Sequence, residues 1–297
     1  MVWSRFAALL VVVLTCGRAA AQNPAKSADG KKADVLAESF LFTEGPTCDA
    51  EGNIYFTDQP NDRIHKWSVD GKLTTFLEHA GRSNGLSFDK SGALWACADE
   101  KNELWKIDIA TGKHTVVVKN FEGKLLNGPN DVWIHPSGGV YFTDPFYKRG
   151  YWKRGPEESP RSLLYLSPAG KLSRLDGDYK QPNGIVGTPD GKILYVADIG
   201  DSKIYAYDIQ PDGGVANRRL FCSQGSDGMT IDDFGNVYLT RKGVMVFDKQ
   251  GMKVAQIDVP VSATNVCFGG RDRQTLFITG GKGLYSLRMD VKGASPQ

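Results

Sequence analysis

Six oxygen-bearing side chains recur at one phase of this sequence: Glu44, Asn84, Asn130, Asn183, Asp227 and Asn265. Each opens the same phrase: an acid or amide, often followed by Gly, then a short apolar stretch, a turn and an apolar strand. Successive starts lie 40, 46, 53, 44 and 38 residues apart. Carboxylate and carboxamide oxygens are hard ligands, and the set holds no His or Cys, which selects calcium, magnesium or manganese over zinc or copper. Glu44 and Asp227 together match the charge of a divalent cation, and confining both in a narrow mouth without one would be costly. Taken singly, each side chain reads as a strand cap or turn bond of the kind Asn and Asp readily make. Six in phase predict a common site.

The elements that must bring them together are strands. The apolar strand of each phrase appears as Ile54–Asp58, Leu94–Asp99, Val140–Asp144, Leu194–Asp198, Val237–Thr240 and Leu276–Thr279. β-branched and aromatic residues fill these runs, and no segment sustains an apolar pattern at helical period. The spacing is that of a propeller blade, and further strands follow in each repeat, as in Ile64–Trp67 and Leu73–Leu77 around the Val69–Gly71 turn. The fold expected is therefore all-β: a six-bladed β-propeller of four-stranded blades. The innermost strand of each blade starts beside the axis, so residues at one phase converge on one mouth. The sixth repeat runs out after Leu287, one strand short, and Asp34–Leu41 is assigned as its outer strand, closing the ring from the amino terminus.

At 297 residues, with 36 Lys and Arg facing 34 Asp and Glu, the chain can bury a full core and carries no electrostatic footprint for nucleic acid or an anionic membrane. Arg5, the apolar run Phe6–Leu14 and Ala19-Ala20-Ala21 have the layout of a secretory signal too short to anchor in a bilayer. The expected organisation is a signal peptide at 1–21, a polar, flexible leader at 22–33 and one propeller domain at 34–297. The mature protein would then be periplasmic or secreted. Cys48, Cys97, Cys222 and Cys267 show neither CxxC nor zinc-type pairing and read as small buried hydrophobes.

The phrases Glu44-Gly45-Pro46, Asn127-Gly128-Pro129-Asn130-Asp131, Val140–Pro145, Gln181–Gly184 and Asp227-Gly228 resemble the senescence-marker-protein, gluconolactonase and luciferin-regenerating family over nearly the whole mature chain. The resemblance implies a six-bladed propeller that binds calcium, or another divalent ion such as manganese, magnesium or zinc, and hydrolyses a sugar lactone. Carried over by motif, Glu44, Asn183 and Asp227 would ligate the ion. Asp227 would also serve as general base, and Asn130 with Asp131 would contact substrate. One departure is evident: some members carry an Arg two residues before the third-repeat Asn, where this chain has Gly128.

Such a site suits a small lactone, whose carbonyl would be polarised by the ion while a water is activated, with no covalent nucleophile. A rival motif, the GRSNG run of Gly81–Gly85, matches G-x-S-x-G around Ser83. That elbow needs a strand-to-helix turn and a His partner, whereas a strand follows here, so a tight turn is the reading adopted. The longest repeat carries an insertion, Phe146–Arg161, expected on the metal side. Its Tyr147, Tyr151 and Trp152, with Lys148, Arg149, Lys153 and Arg154, could stack a sugar ring and attract an acidic group, or the insertion could be a solvated loop whose aromatics pack on the next blade. The alternative function is a non-catalytic, metal-containing propeller that binds a sugar or protein partner through the same mouth.

Overall fold

The computed structural model describes Met1 and residues 23–294. Almost all regular structure in it is strand, with two short 3-10 turns at Pro24–Ala28 and Gln59–Asn61. Four antiparallel sheets have four strands each and follow one another along the chain. Their opening strands are Thr43–Cys48, Ser83–Phe88, Val132–Ile134 and Pro182–Gly187. Apart from a two-stranded ladder of Asn120–Phe121 with Lys124–Leu125, the remaining strands form one six-stranded sheet, because Lys253–Gly269 serves two ladders. Its first part pairs with Val237–Phe247 and its second, Ala263–Gly269, with Thr275–Gly280. The chain is thus all-β and built largely of four-stranded sheets, in keeping with propeller blades.

Burial explains the recurring phrase. The second strand of the first three sheets, Ile54–Asp58, Leu94–Ala98 and Val140–Asp144, is buried at every position, since a sheet lies against each of its faces. That is why these strands read as continuous apolar runs rather than alternating ones. The outer strands Leu73–Glu78 and His114–Val118 are mostly exposed. The core accordingly lies between sheets, with Trp95 and Cys97 of one packed with Val132, Val140 and Phe142 of the next.

The Thr and Gly of the phrase stitch neighbouring repeats together. Thr57 Oγ1 donates to the Asn84 carbonyl at 3.1 Å, Thr143 Oγ1 to Asn183 at 2.7 Å and Thr240 Oγ1 to Thr264 at 2.7 Å. Thr264 Oγ1 in turn donates to the Thr43 carbonyl at 2.7 Å, joining the last strands to the first sheet. Opening strands approach so closely that a Cβ on Gly45 would stand 2.1 Å from the Asn84 carbonyl, and one on Gly184 2.5 Å from that of Asp227. Only glycine fits after the acid or amide there.

The expected amino-terminal strand is present: Asp34–Glu38 pairs antiparallel with Gly283–Arg288, Asp34 opposite Ser286 and Glu38 opposite Gly283. The expected flexible leader at 22–33 needs correction over its described part. Ala25 and Ala28 are fully buried against the cluster that holds Ala255 and Ile257. Gly30 N donates to the Gln256 carbonyl at 2.8 Å, Ala33 N to Asp258 at 2.9 Å, and Asp258 N to Lys31 at 2.8 Å. The physical cause is the outer edge of Lys253–Gly269, whose main-chain groups need partners that this segment supplies. Apart from Met1, the signal-peptide reading of 1–21 lies outside the described residues. The four described cysteines are free thiols, three buried and Cys48 partly so.

Candidate functional site

The strand starts deliver the six phased residues to one region. Glu44, Asn84 and Asn183 are each the second residue of an opening strand, Asn130 and Asp227 precede theirs by two, and Asn265 lies within the long strand. Asn183 Nδ2 donates to Asp227 Oδ1 at 2.8 Å, and Asn265 Nδ2 stands 3.5 Å from Asp131 Oδ2. A Cβ on Gly85 would meet Asp131 Oδ1 at 2.5 Å, and one on Gly228 would collide with the Asn265 amide. Glu44 lies within electrostatic reach of both Asp227 and Asp131. Side chains far apart in sequence therefore share one polar mouth.

That mouth is rich in buried negative charge. Burial first, then Asp227 and Asp131, push the Glu44 carboxyl well above the usual carboxylate range. Asp131 is pushed up to about 7, chiefly by burial, against hydrogen bonds from Val132 N and Asn265 that lower it. Burial raises Asp227 to about 6, opposed by the Asn183 hydrogen bond and by Arg149 and Arg241 at a distance. Both cations are committed elsewhere, Arg149 to Asp99 and Arg241 to Ser202. Among the described residues no three His, Cys, Asp or Glu side chains converge into an ion cage by themselves. Amide oxygens would have to complete one, and Asn183 is arranged for that. Its two amide hydrogens go to Asp227 and to Tyr147 Oη, both at 2.8 Å, and its Oδ1 accepts nothing from the described residues. Hard oxygens, mutually repelling acids and a free amide oxygen fit a divalent cation at Glu44, Asn183 and Asp227.

The acid that ends the second strand has a separate task. Asp58 accepts the N–H groups of Leu41 and Phe42, Asp144 those of Asn127 and Gly128, and Asp198 those of Lys180 and Gln181, at 2.8–3.1 Å. Each ties down the segment entering its own sheet. Asp99, at the same phase, instead holds the loop between Val140–Asp144 and Ser162–Leu166. Its Oδ2 accepts from Arg149 Nε at 2.7 Å and Tyr151 Oη at 2.6 Å, and its carbonyl from Trp152 Nε1 at 2.7 Å.

Tyr151 and Trp152, expected to stack a sugar, are thus bonded to the second sheet. The Arg82 guanidinium lies over the Tyr151 ring at 4.7 Å and that of Arg154 over Trp152 at 5.4 Å. The loop does lie on the side of the mouth, but the side chain that reaches it is Tyr147. Burial raises its hydroxyl to about 12, so it stays protonated. The available signal was its position, three residues past the strand end at Asp144. Ser83 is buried and donates to the Ala80 carbonyl at 2.5 Å, so the GRSNG run is a Gly81-Arg82 turn leading into the strand that Ser83 opens, not a strand-to-helix elbow.

The chain is similar in sequence and fold to known proteins. Residues 42–282 match the family described as SMP-30/Gluconolactonase/LRE-like region. A gluconolactonase of Zymomonas mobilis is 30% identical, over 88% of this chain and 82% of the relative. The structure of a gluconolactonase from Xanthomonas campestris, also 30% identical, superposes with a TM-score of 0.83 over 90% of this chain and 93% of its own. The regucalcin of Agrobacterium tumefaciens, described as a calcium-binding protein, is 23% identical with a TM-score of 0.77, over 90% of this chain and 96% of its own, a likeness of fold.

Proposed function

The chain belongs to the SMP-30/gluconolactonase/LRE-like family, and from that membership we propose that it is a sugar-lactone hydrolase acting at the mouth where Glu44, Asn183 and Asp227 meet. The observation that carries this reading is the Asn183–Asp227 hydrogen bond beside the buried Glu44, within a chain 30% identical to a gluconolactonase.

The proposed frame is a closed, six-bladed propeller spanning 34–297. It is supported by the contacts of the opening strands, each with the next, and by Asp34–Glu38 completing the last sheet. Glu44, Asn183 and Asp227 would hold the ion, and calcium is proposed in keeping with the regucalcin neighbour. When bound, it would supply Lewis acidity toward the lactone carbonyl. Asp227, oriented by Asn183, takes a proton from the attacking water as the new C–O bond forms. The ring C–O bond breaks, and its oxygen leaves with that proton, giving the open hydroxy acid. Asn130 and Asp131 contact the substrate beside it. Export through residues 1–21 is also proposed, and sequencing the mature amino terminus tests it.

The test of function is a panel of aldonolactones followed by a pH indicator, with calcium or manganese added or chelated. Turnover that needs the ion is expected. A protein inert toward lactones and esters, yet still binding a sugar, would instead be a binding module.

A further inference from the structure

Resting on the hydrolase reading of the mouth, we infer that Tyr147 contacts the substrate with its hydroxyl hydrogen and that Asp99 is the positioning residue that holds it there. The carboxylate of Asp227 only accepts, so the end of the Asn183 amide facing it is nitrogen, and that nitrogen also stands 2.8 Å from Tyr147 Oη. The phenol oxygen is therefore an acceptor toward Asn183, and its own hydrogen turns elsewhere. The Gln181 side chain also reaches this hydroxyl, acting on it as a donor while its own Oε1 accepts from Arg161, so among the described residues no hydrogen bond takes the phenol hydrogen. A carbonyl or hydroxyl oxygen of a bound lactone is the complement.

The loop that carries Tyr147 has no strand or helix to hold it. Asp99 does so instead, gripping Arg149 and Tyr151 through its side chain and Trp152 through its carbonyl. Arg149, two residues from Tyr147, lies over its ring at 5.4 Å. The grip also occupies the space beside Gly128, where a Cβ would stand 2.7 Å from Asp99 Oδ1 and 2.9 Å from the Trp152 ring. Asp58, Asp144 and Asp198 spend their carboxylates on main-chain N–H groups, so Asp99 departs from its counterparts in favour of this loop.

The experiment is a double-variant cycle on glucono-δ-lactone at saturating calcium. Tyr147→Phe should lower kcat/KM about tenfold or more. Asp99→Asn should cost a similar factor alone but add little in the Tyr147→Phe background, because it acts through Tyr147. A purely scaffolding Asp99 would cost the same in both. Melting temperatures confirm that each variant is folded. Wild-type rates in folded Tyr147→Phe overturn the Tyr147 contact, and additive losses overturn the role of Asp99. If the wild type hydrolyses no lactone, the hydrolase reading fails, and calorimetric binding of gluconate then decides. Weaker binding by Tyr147→Phe supports the contact, whereas equal binding, or none by the wild type, overturns it.

Discussion

Asn183 Nδ2 stands 2.8 Å from Asp227 Oδ1, a hydrogen bond between the openings of two neighbouring repeats. Asp227 is thereby fixed in direction while burial lifts it to about 6, close to a useful proton acceptor near neutral pH. Asp227→Asn should keep the shape and lose the base. Its kcat should fall about a hundredfold or more even at calcium concentrations that restore occupancy, as read by steady-state kinetics beside a calorimetric titration. Glu44→Gln should chiefly weaken calcium binding. Unchanged affinity in Glu44→Gln and unchanged kcat in Asp227→Asn would remove this mouth from the reaction.

The buried acids also set a stability profile. Asp131 and Asp144 sit at about 7 and Asp227 at about 6, all raised chiefly by burial from ordinary values near 4. Between those limits the native state keeps protons that the unfolded chain has lost, so stability present below pH about 4 is lost as pH rises to about 7. Asp89 and Asp272, held low by hydrogen bonds and Lys or Arg partners, act at lower pH and leave this window alone. The metal-free protein should therefore melt lower at pH 7.5 than at pH 5, and Asp131→Asn should reduce the difference. Calcium should raise the melting temperature more at pH 7.5, since its ligands must be ionised. A metal-free melting temperature that climbs across the window contradicts this electrostatic picture.

Much of this site can be read from sequence, because strand phase is a strict constraint. A residue at the same phase of every repeat has one place to go, and the Thr and Gly of the same phrase are spent on the neighbouring repeat. What could not be read depends on partners rather than phase. Asp99 looks like Asp58, Asp144 and Asp198 in sequence, yet takes side chains from a loop 50 residues away. Lys253–Gly269 runs through Pro260 as one strand and merges two sheets, a continuity set by its two sets of partners rather than by its own residues. The segment before Asp34 shows only three buried alanines, Ala25, Ala28 and Ala33, too little apolar signal to predict docking.

Ser83 offers a direct contrast of mechanisms. Its hydroxyl is buried and donates to the carbonyl of Ala80, just before the turn that leads into its strand, and among the described residues no His is bonded to it. Ser83→Ala should keep most lactonase activity and cost about 1 kcal/mol of stability, the worth of one internal hydrogen bond. A folded, calcium-binding Ser83→Ala protein without activity would favour an acyl-enzyme route.

The amino-terminal segment gives the last test. Residues 30–33 exchange three main-chain hydrogen bonds with Gln256 and Asp258, and Ala25 and Ala28 cover the cluster beneath. At about 1 kcal/mol for each bond, plus the alanine burial, removing 23–33 should cost about 3 kcal/mol or more. For a chain of this size that lowers the melting temperature by on the order of 5 °C or more. Extending the deletion through Glu38 also removes the partner of Gly283–Arg288 and bares a sheet edge, so aggregation should accompany a larger loss. Thermal melts of the two truncations beside a chain starting at Asn23 separate the contributions. If removing 23–33 leaves the melting temperature unchanged, these contacts add nothing to the fold. If both truncations melt alike, the strand Asp34–Glu38 does not seal the last sheet.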